Sequence, residues 1–138
     1  MTIAKTFLKQ GLIAAVALLT LGAGAAQAER IYNPAGTWVT NGGESKYQIE
    51  LCGKRGDAIC AKMIWADDSA LGQKLKTYVG KDAMLELART GNQRWYGRLD
   101  FQGHVARGTL DLTDENNINI KACNGAACQG VRLIRISK

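Results

Sequence analysis

Four cysteines are the residues whose spacing most restricts the chemistry open to this sequence. Cys52 and Cys60 stand eight positions apart, and Cys123 and Cys128 stand five apart. Four thiolates can hold zinc, but structural zinc sites usually pair cysteines that are separated by about two to four residues. A redox motif would need Cys-x-x-Cys beside a βαβ unit, and the sequence has neither. The cysteines therefore indicate two disulfides, with no metal site and no cofactor.

Three pairings of four cysteines are possible. We favour Cys52–Cys60 and Cys123–Cys128, because each pair encloses a short loop that contains glycine, GKRGDAI and NGAA. Each disulfide would then lie at the turn end of a β-hairpin. The other two pairings stay open at this point.

The first 28 residues have the form of a signal peptide. Two lysines precede an apolar run over residues 11–25, and Ala26-Gln27-Ala28 has the small residues that signal peptidase accepts. A retained membrane anchor is the alternative, but the run is shorter than the roughly 20 residues that span a bilayer. We expect cleavage after Ala28, which leaves one domain, residues 29–138, with no transmembrane segment. Its expected location is the periplasm or the medium.

The net charge gives little information about binding partners. The formal net charge of +6 includes the two lysines of the signal, so residues 29–138 carry 16 basic and 12 acidic side chains, a net charge of +4. Such an excess is typical of an ordinary solvated surface, or favours anionic surfaces weakly. The basic residues are scattered and form no run, so we expect no nucleic-acid partner.

Alternation of apolar and polar residues dominates the exported part and indicates β-strands. It is clear in KYQIEL, ICAKMIW, RWYGRLDF, VARGTLDL and NNINIKA, while VRLIRIS is apolar on both faces. The short segments GTWVT and MLELA bring the number of strands to about eight. Turn residues such as Asn41-Gly42-Gly43 and Asn124-Gly125 separate them at short intervals. We therefore predict an all-β fold, a small antiparallel meander that closes into a barrel and so removes its edges.

One long connection interrupts the meander. It runs from Ala66 to Ala83 and includes DDSALGQKLKTYVGKD. It holds either a short helix or a flap over one mouth of the barrel, and a plain crossover is the third alternative.

These segments, from GTW through IELCG, ICAKMIW, RWYGRLDF, GTLDL and INIKAC to RLIRI, resemble domain-of-unknown-function family 2147. The likeness runs from about Gly36 to Ile136. The resemblance implies a lipocalin-like barrel of eight strands, exported by bacteria and without an established activity. It supplies no catalytic residues. The chain departs from the family pattern at packing positions, where Ala61, Ala122 and Leu133 stand in place of glycine, glycine and tryptophan.

Aromatic residues are the candidate ligand-binding residues. Five fall on or near the inward phase of the predicted strands: Trp38, Tyr47, Trp65, Trp95 and Phe101. Small residues share that phase: Ala61, Gly97, Ala106, Gly108 and Ala122. The mixture is compatible with a cavity or with close packing, and the short barrel of a chain this size favours a mostly filled core. Room for a ligand is then expected only near the rim.

Residues that could act as an acid or a base show no catalytic arrangement in this sequence. His104 is the only histidine and lies beside Gly103 in a predicted turn, without an evident nucleophile. The pair Asp67-Asp68 begins the long connection, where a solvated loop explains it better than acid–base work or calcium binding. Glu86 lies in a predicted strand, where an inward and an outward position explain it equally well. We expect no catalytic residues and no enzyme.

Three classes of function remain, and a hydrolase is the weakest of them. The leading hypothesis is a non-enzymatic periplasmic barrel that binds a small apolar or amphipathic ligand through the aromatic set. The alternative is an interaction module of the cell envelope with a filled, ligand-free core. It would contact a protein or an anionic envelope polymer through the long connection or through Arg94, Tyr96 and Arg98. The sequence leaves the ligand, the partner, the oligomeric state and the biological process open.

Overall fold

A computed structural model describes residues 31–101 and 104–138 of the chain, without the side chain of Phe101. The predicted signal peptide and its cleavage site lie outside these residues. The elements are β1 (Gly36–Thr40), β2 (Ser45–Cys52), β3 (Ala58–Ala66), α1 (Ala70–Leu75), a 3-10 turn (Lys76–Tyr78), β4 (Asp82–Gly91), β5 (Arg94–Phe101), β6 (His104–Asp114), β7 (Asn117–Asn124) and β8 (Ala127–Ser137).

The eight strands form a closed antiparallel barrel in chain order. Each strand pairs with the next, and β8 pairs with β1 to close the sheet. This confirms the predicted all-β meander and its closure. We call the end with turns 53–57, 92–93 and 115–116 the lower end, and the end with turn 41–44 and helix α1 the upper end. Closure pairs the backbone groups that two free edges would otherwise expose.

Inward side chains of the strands make one hydrophobic core. Among the residues that the structure describes, eighteen apolar ones are at most 8% exposed and belong to a single cluster. The alternation in β2, β5, β6 and β7 places their buried members where the sequence predicts. Full burial of a Leu or Ile side chain stabilises a fold by about 1.5–3 kcal/mol, so this cluster is the main stabilising feature.

Strand β4 is longer than the five-residue segment MLELA predicted for it. It extends over Asp82–Gly91, and its buried members are Ala83, Met84 and Leu87. Glu86 has a φ of 47°, and the pairing register shifts between Met84 and Ala88. A bulge of this kind breaks the two-residue period, which explains why periodicity detected only part of the strand.

The long connection contains a short helix, which was one of the predicted alternatives. Ser69 caps α1, since its side chain accepts a hydrogen bond from the backbone N–H of Gly72 at 3.0 Å. Leu75 in the last turn is 3% exposed and packs into the core at the upper end. The helix therefore covers part of the upper opening.

Both disulfides have the favoured pairing. Cys52–Cys60 joins β2 to β3 with a Cα–Cα distance of 5.9 Å, and Cys123–Cys128 joins β7 to β8 at 4.0 Å. No free cysteine is found among the described residues. Each bridge lies beside the turn of a hairpin, as predicted.

Removing a disulfide is expected to destabilise the barrel. In the loop-entropy model, rings this small contribute about 2–3 kcal/mol each. The double variant Cys52→Ala/Cys60→Ala should lose this amount in urea denaturation followed by circular dichroism. The variant Cys123→Ala/Cys128→Ala is the matched comparison, and both losses together should equal the effect of reductant on the natural chain. Unchanged urea midpoints would contradict the prediction.

Candidate functional site

Trp38 lies in the core and not at an open mouth. Its side chain is fully buried, and its Nε1 donates a hydrogen bond to the carbonyl of Pro34 at 2.9 Å. The guanidinium of Arg135 lies over the ring, 4.3 Å from the centroid. The indole therefore already has a partner for its N–H and a cation on its face.

Arg135 closes the lower end of the barrel. It stands opposite Trp38 in the pairing of β1 with β8. Its nitrogens donate to the carbonyls of Asn33 at 2.6 Å, Ala35 at 2.7 Å and Glu115 at 2.6 Å. Burial lowers the pKa of this guanidinium. Arg135 was not identified from the sequence. The signal that could have found it is its position two residues after Leu133, which gives both residues the same inward phase.

Trp95 and Tyr47 are also packed into the interior. Trp95 is 3% exposed, and its Nε1 donates to the carbonyl of Asp57 at 2.7 Å. The hydroxyl of Tyr47 accepts a hydrogen bond from Ser45 at 3.3 Å. Burial is the largest cause of the raised pKa of Tyr47. Their inward placement agrees with the sequence, and their proposed role in binding a ligand stays a prediction.

Trp65 points outward, which corrects its predicted inward position. Lys46 pairs with Trp65 while Tyr47 pairs with Met63, so Ile64 is an extra residue on β3. A bulge of one residue reverses the side-chain phase beyond it. Trp65 is therefore 40% exposed, and the ammonium of Lys46 lies 4.5 Å from its ring centroid.

Two of the small inward residues, Gly97 and Gly108, make room for leucine side chains. A Cβ added at Gly108 would meet Cδ1 of Leu99 at 2.6 Å, and one added at Gly97 would meet Cδ2 of Leu87 at 2.9 Å. Both leucines are 0% exposed. The alternation of small and large side chains thus produces close packing, as in other small barrels.

Two surface grooves lie at the lower end, and Ile31 lines both of them. One of about 530 Å³ is lined by residues that include Tyr32, Leu51, Glu115 and Arg135. The other, of about 490 Å³, is lined by Ile31, Asp57, Arg89, Gly91 and Asn92. Among the described residues, none of Trp38, Tyr47, Trp65 and Trp95 lines either groove. Leu51, inward by pattern, is 42% exposed at this rim.

The candidate acid–base residues are not brought together. His104 and Glu86 are exposed, and Asp68 forms an ion pair with Lys76. The hydrogen bond from Lys76 is the largest cause of the lowered pKa of Asp68. Within residues 31–101 and 104–138, no group of three or more His, Cys, Asp or Glu side chains is placed to hold a metal ion.

Three rows of outward positions on β5–β8 form a second candidate surface, which we call the cationic face; the next outward pair toward the upper end, Asp100 and Val105, lies outside it. Direct cross-strand pairing arranges it in three rows of four. The rows, from the upper to the lower end, are Arg98, Arg107, Cys123 and Cys128; Tyr96, Thr109, Lys121 and Gly130; and Arg94, Asp111, Asn119 and Arg132. Arg94, Tyr96 and Arg98, which were predicted to share a face, do so. The other cations of this face were missed, because only strand register brings them beside that set.

Charges on the cationic face are mostly unpaired. Arg94 donates to Asp111 at 2.6 Å, and this hydrogen bond is the largest cause of its raised pKa. Arg98 stands directly opposite Arg107. Among the described residues, no carboxylate oxygen lies within 4.0 Å of Arg98, Arg107 or Lys121.

Comparison of the chain with family models, with curated proteins and with solved structures gave no match. The resemblance to domain-of-unknown-function family 2147 therefore stays a prediction. In the part of the chain that the structure describes, no helix has both the length and the apolar character needed to cross a membrane.

Proposed function

We propose that this chain is an exported interaction module with a filled core, which uses its outer surface to bind a partner. The observation that carries the proposal is the state of the interior aromatic residues. Trp38 and Trp95 are at most 3% exposed, and both indole N–H groups donate to backbone carbonyls. A ligand could reach these rings only by displacing packed side chains and those hydrogen bonds.

Export is part of the proposal. Two disulfides support it, because disulfides persist in oxidising compartments and are rare in the cytosol. The signal-like residues 1–28 and the resemblance to family 2147 point the same way. Mass spectrometry of the protein from its native host should find a chain that begins at Glu29. A cytosolic full-length chain would contradict export.

The carrier hypothesis is retained as the second function because of the groove of about 530 Å³ at the lower end. Its volume lies in the range of small-molecule sites, about 300–1,000 Å³. Tyr32, Leu51 and Arg135 would offer an amphipathic ligand both apolar contact and positive charge.

Native mass spectrometry, combined with titration of tryptophan fluorescence by dodecanoate and hexadecanoate, distinguishes these functions. The module should carry no bound species and show no saturable change in fluorescence. A ligand bound at a fixed stoichiometry would overturn the proposal if the variant Leu51→Arg no longer binds it. This substitution places a charged side chain in the groove. Ile64→Arg, an equally exposed position near the upper end of β3, is the control.

A further inference from the structure

The cationic face holds the whole excess charge of the described chain. Residues 31–101 and 104–138 contain 15 basic and 11 acidic side chains, a net charge of +4. Five of these cations and one carboxylate, Asp111, lie on the cationic face. The remainder of the described chain therefore balances, with ten charges of each sign.

Arg98 and Arg107 are placed as an anion-binding pair. Side chains of directly opposite residues lie about 5 Å apart, and like charges in such pairs are destabilising. Both residues are exposed, and among the described residues no carboxylate oxygen lies within 4.0 Å of either guanidinium. Asp100, two residues from Arg98 on the same face of β5, forms no ion pair with them. A bound anion would relieve this repulsion and would accept bidentate hydrogen bonds from guanidinium groups.

The cations continue in a line across the sheet. From Arg107, the next cation is Lys121, one strand and one row away, and Arg132 follows by the same step. Each step spans about 8 Å, given a strand spacing of about 4.8 Å and a rise of about 3.3 Å per residue. Arg132, at the far end of the line, also lies near Asp114.

The cationic face lacks the apolar centre of a protein interface. Protein partners usually dock on clusters of buried aromatic or aliphatic anchors. On this face, Tyr96 is the one large apolar side chain, and it is 43% exposed. A line of positive charges without such a centre suits a flexible partner that carries negative charges at intervals.

We propose that the cationic face binds a linear polysaccharide with a carboxylate or phosphate on each repeat. This inference rests on the proposed function, of which it names the partner. Successive anionic groups contact Arg98 with Arg107, then Lys121, then Arg132.

Polygalacturonate is the probe, with dextran as the neutral polymer and galacturonate as the monomer. Calorimetry should detect binding of polygalacturonate at low salt that weakens as salt rises, with dextran inert and the monomer weaker. The triple variant Arg107→Gln/Lys121→Gln/Arg132→Gln should bind about tenfold more weakly, since exposed ion pairs contribute about 0.2–1 kcal/mol each. The control Lys54→Gln/Arg55→Gln/Lys62→Gln removes the same charge elsewhere and should stay within twofold.

Equal losses in both triple variants would overturn the inference, because they would reflect net charge alone. Tighter binding of polyglutamate or duplex DNA than of polygalacturonate would also overturn it. If the triple variant does not fold, Arg107→Gln alone should weaken binding about threefold and raise the urea midpoint, as it removes the like-charge pair. If polygalacturonate does not bind and the groove holds no ligand, this inference fails and the proposed interaction module stands. A stoichiometric ligand in the groove overturns the proposed function, and this inference with it.

Discussion

Trp38→Ala is expected to cost about 3–5 kcal/mol of unfolding free energy, the range measured when large buried aromatic residues are truncated. The ring is fully buried in the core. Its removal leaves a cavity and removes both the donor to the Pro34 carbonyl and the ring face over which the Arg135 guanidinium lies. A typical domain is stable by only about 5–15 kcal/mol, so the variant should be close to unfolding at room temperature.

Urea denaturation at 25 °C, with both disulfides intact, measures this loss. Trp38→Phe keeps most of the packing and loses the N–H donor, so its cost should be smaller. Trp65→Ala is the matched control, because that ring is 40% exposed. It should cost less than about 1 kcal/mol, the value of an exposed cation–π contact. Equal losses in the two alanine variants would contradict the assigned positions of the rings.

Gly108→Ala is expected to destabilise the barrel by about 3 kcal/mol, at the upper end of the usual range for overpacking. The added Cβ would lie 2.5 Å from the carbonyl oxygen of Lys121 and 3.0 Å from Cα of Ala122. Both are backbone atoms of β7, so the clash cannot be relieved by rotating a side chain. Strand β7 would have to move away from β6.

Gly130→Ala is the control for this prediction. It is also a strand glycine, and the nearest atom to an added Cβ is the carbonyl oxygen of Ile120, at 3.7 Å. That is an ordinary contact, so the change in stability should stay within about 0.5 kcal/mol. A loss at Gly130 as large as that at Gly108 would mean that glycine flexibility, and not space, determines the effect.

The cationic face shows how much of a surface can be predicted from the sequence. Arg94, Tyr96 and Arg98 were recognised as one face, because they alternate within a single strand. Arg107, Lys121 and Arg132 join them only through the pairing of β5, β6, β7 and β8. Between two strands, the register depends on turn lengths and core packing, so sequence spacing does not reveal which residues stand opposite.

Sequence alone determined the class of fold and the disulfides of this protein, because both follow from local patterns. Alternating apolar and polar residues indicate a half-buried strand, and cysteines on either side of a short glycine turn are close in space because they are close in sequence. Only the tertiary structure decided that Leu87 and Leu99 occupy the space beside Gly97 and Gly108, and that a bulge at Ile64 turns Trp65 outward. Those outcomes depend on how separate strands fit against each other, and that fit is a property of the closed barrel and not of any one segment.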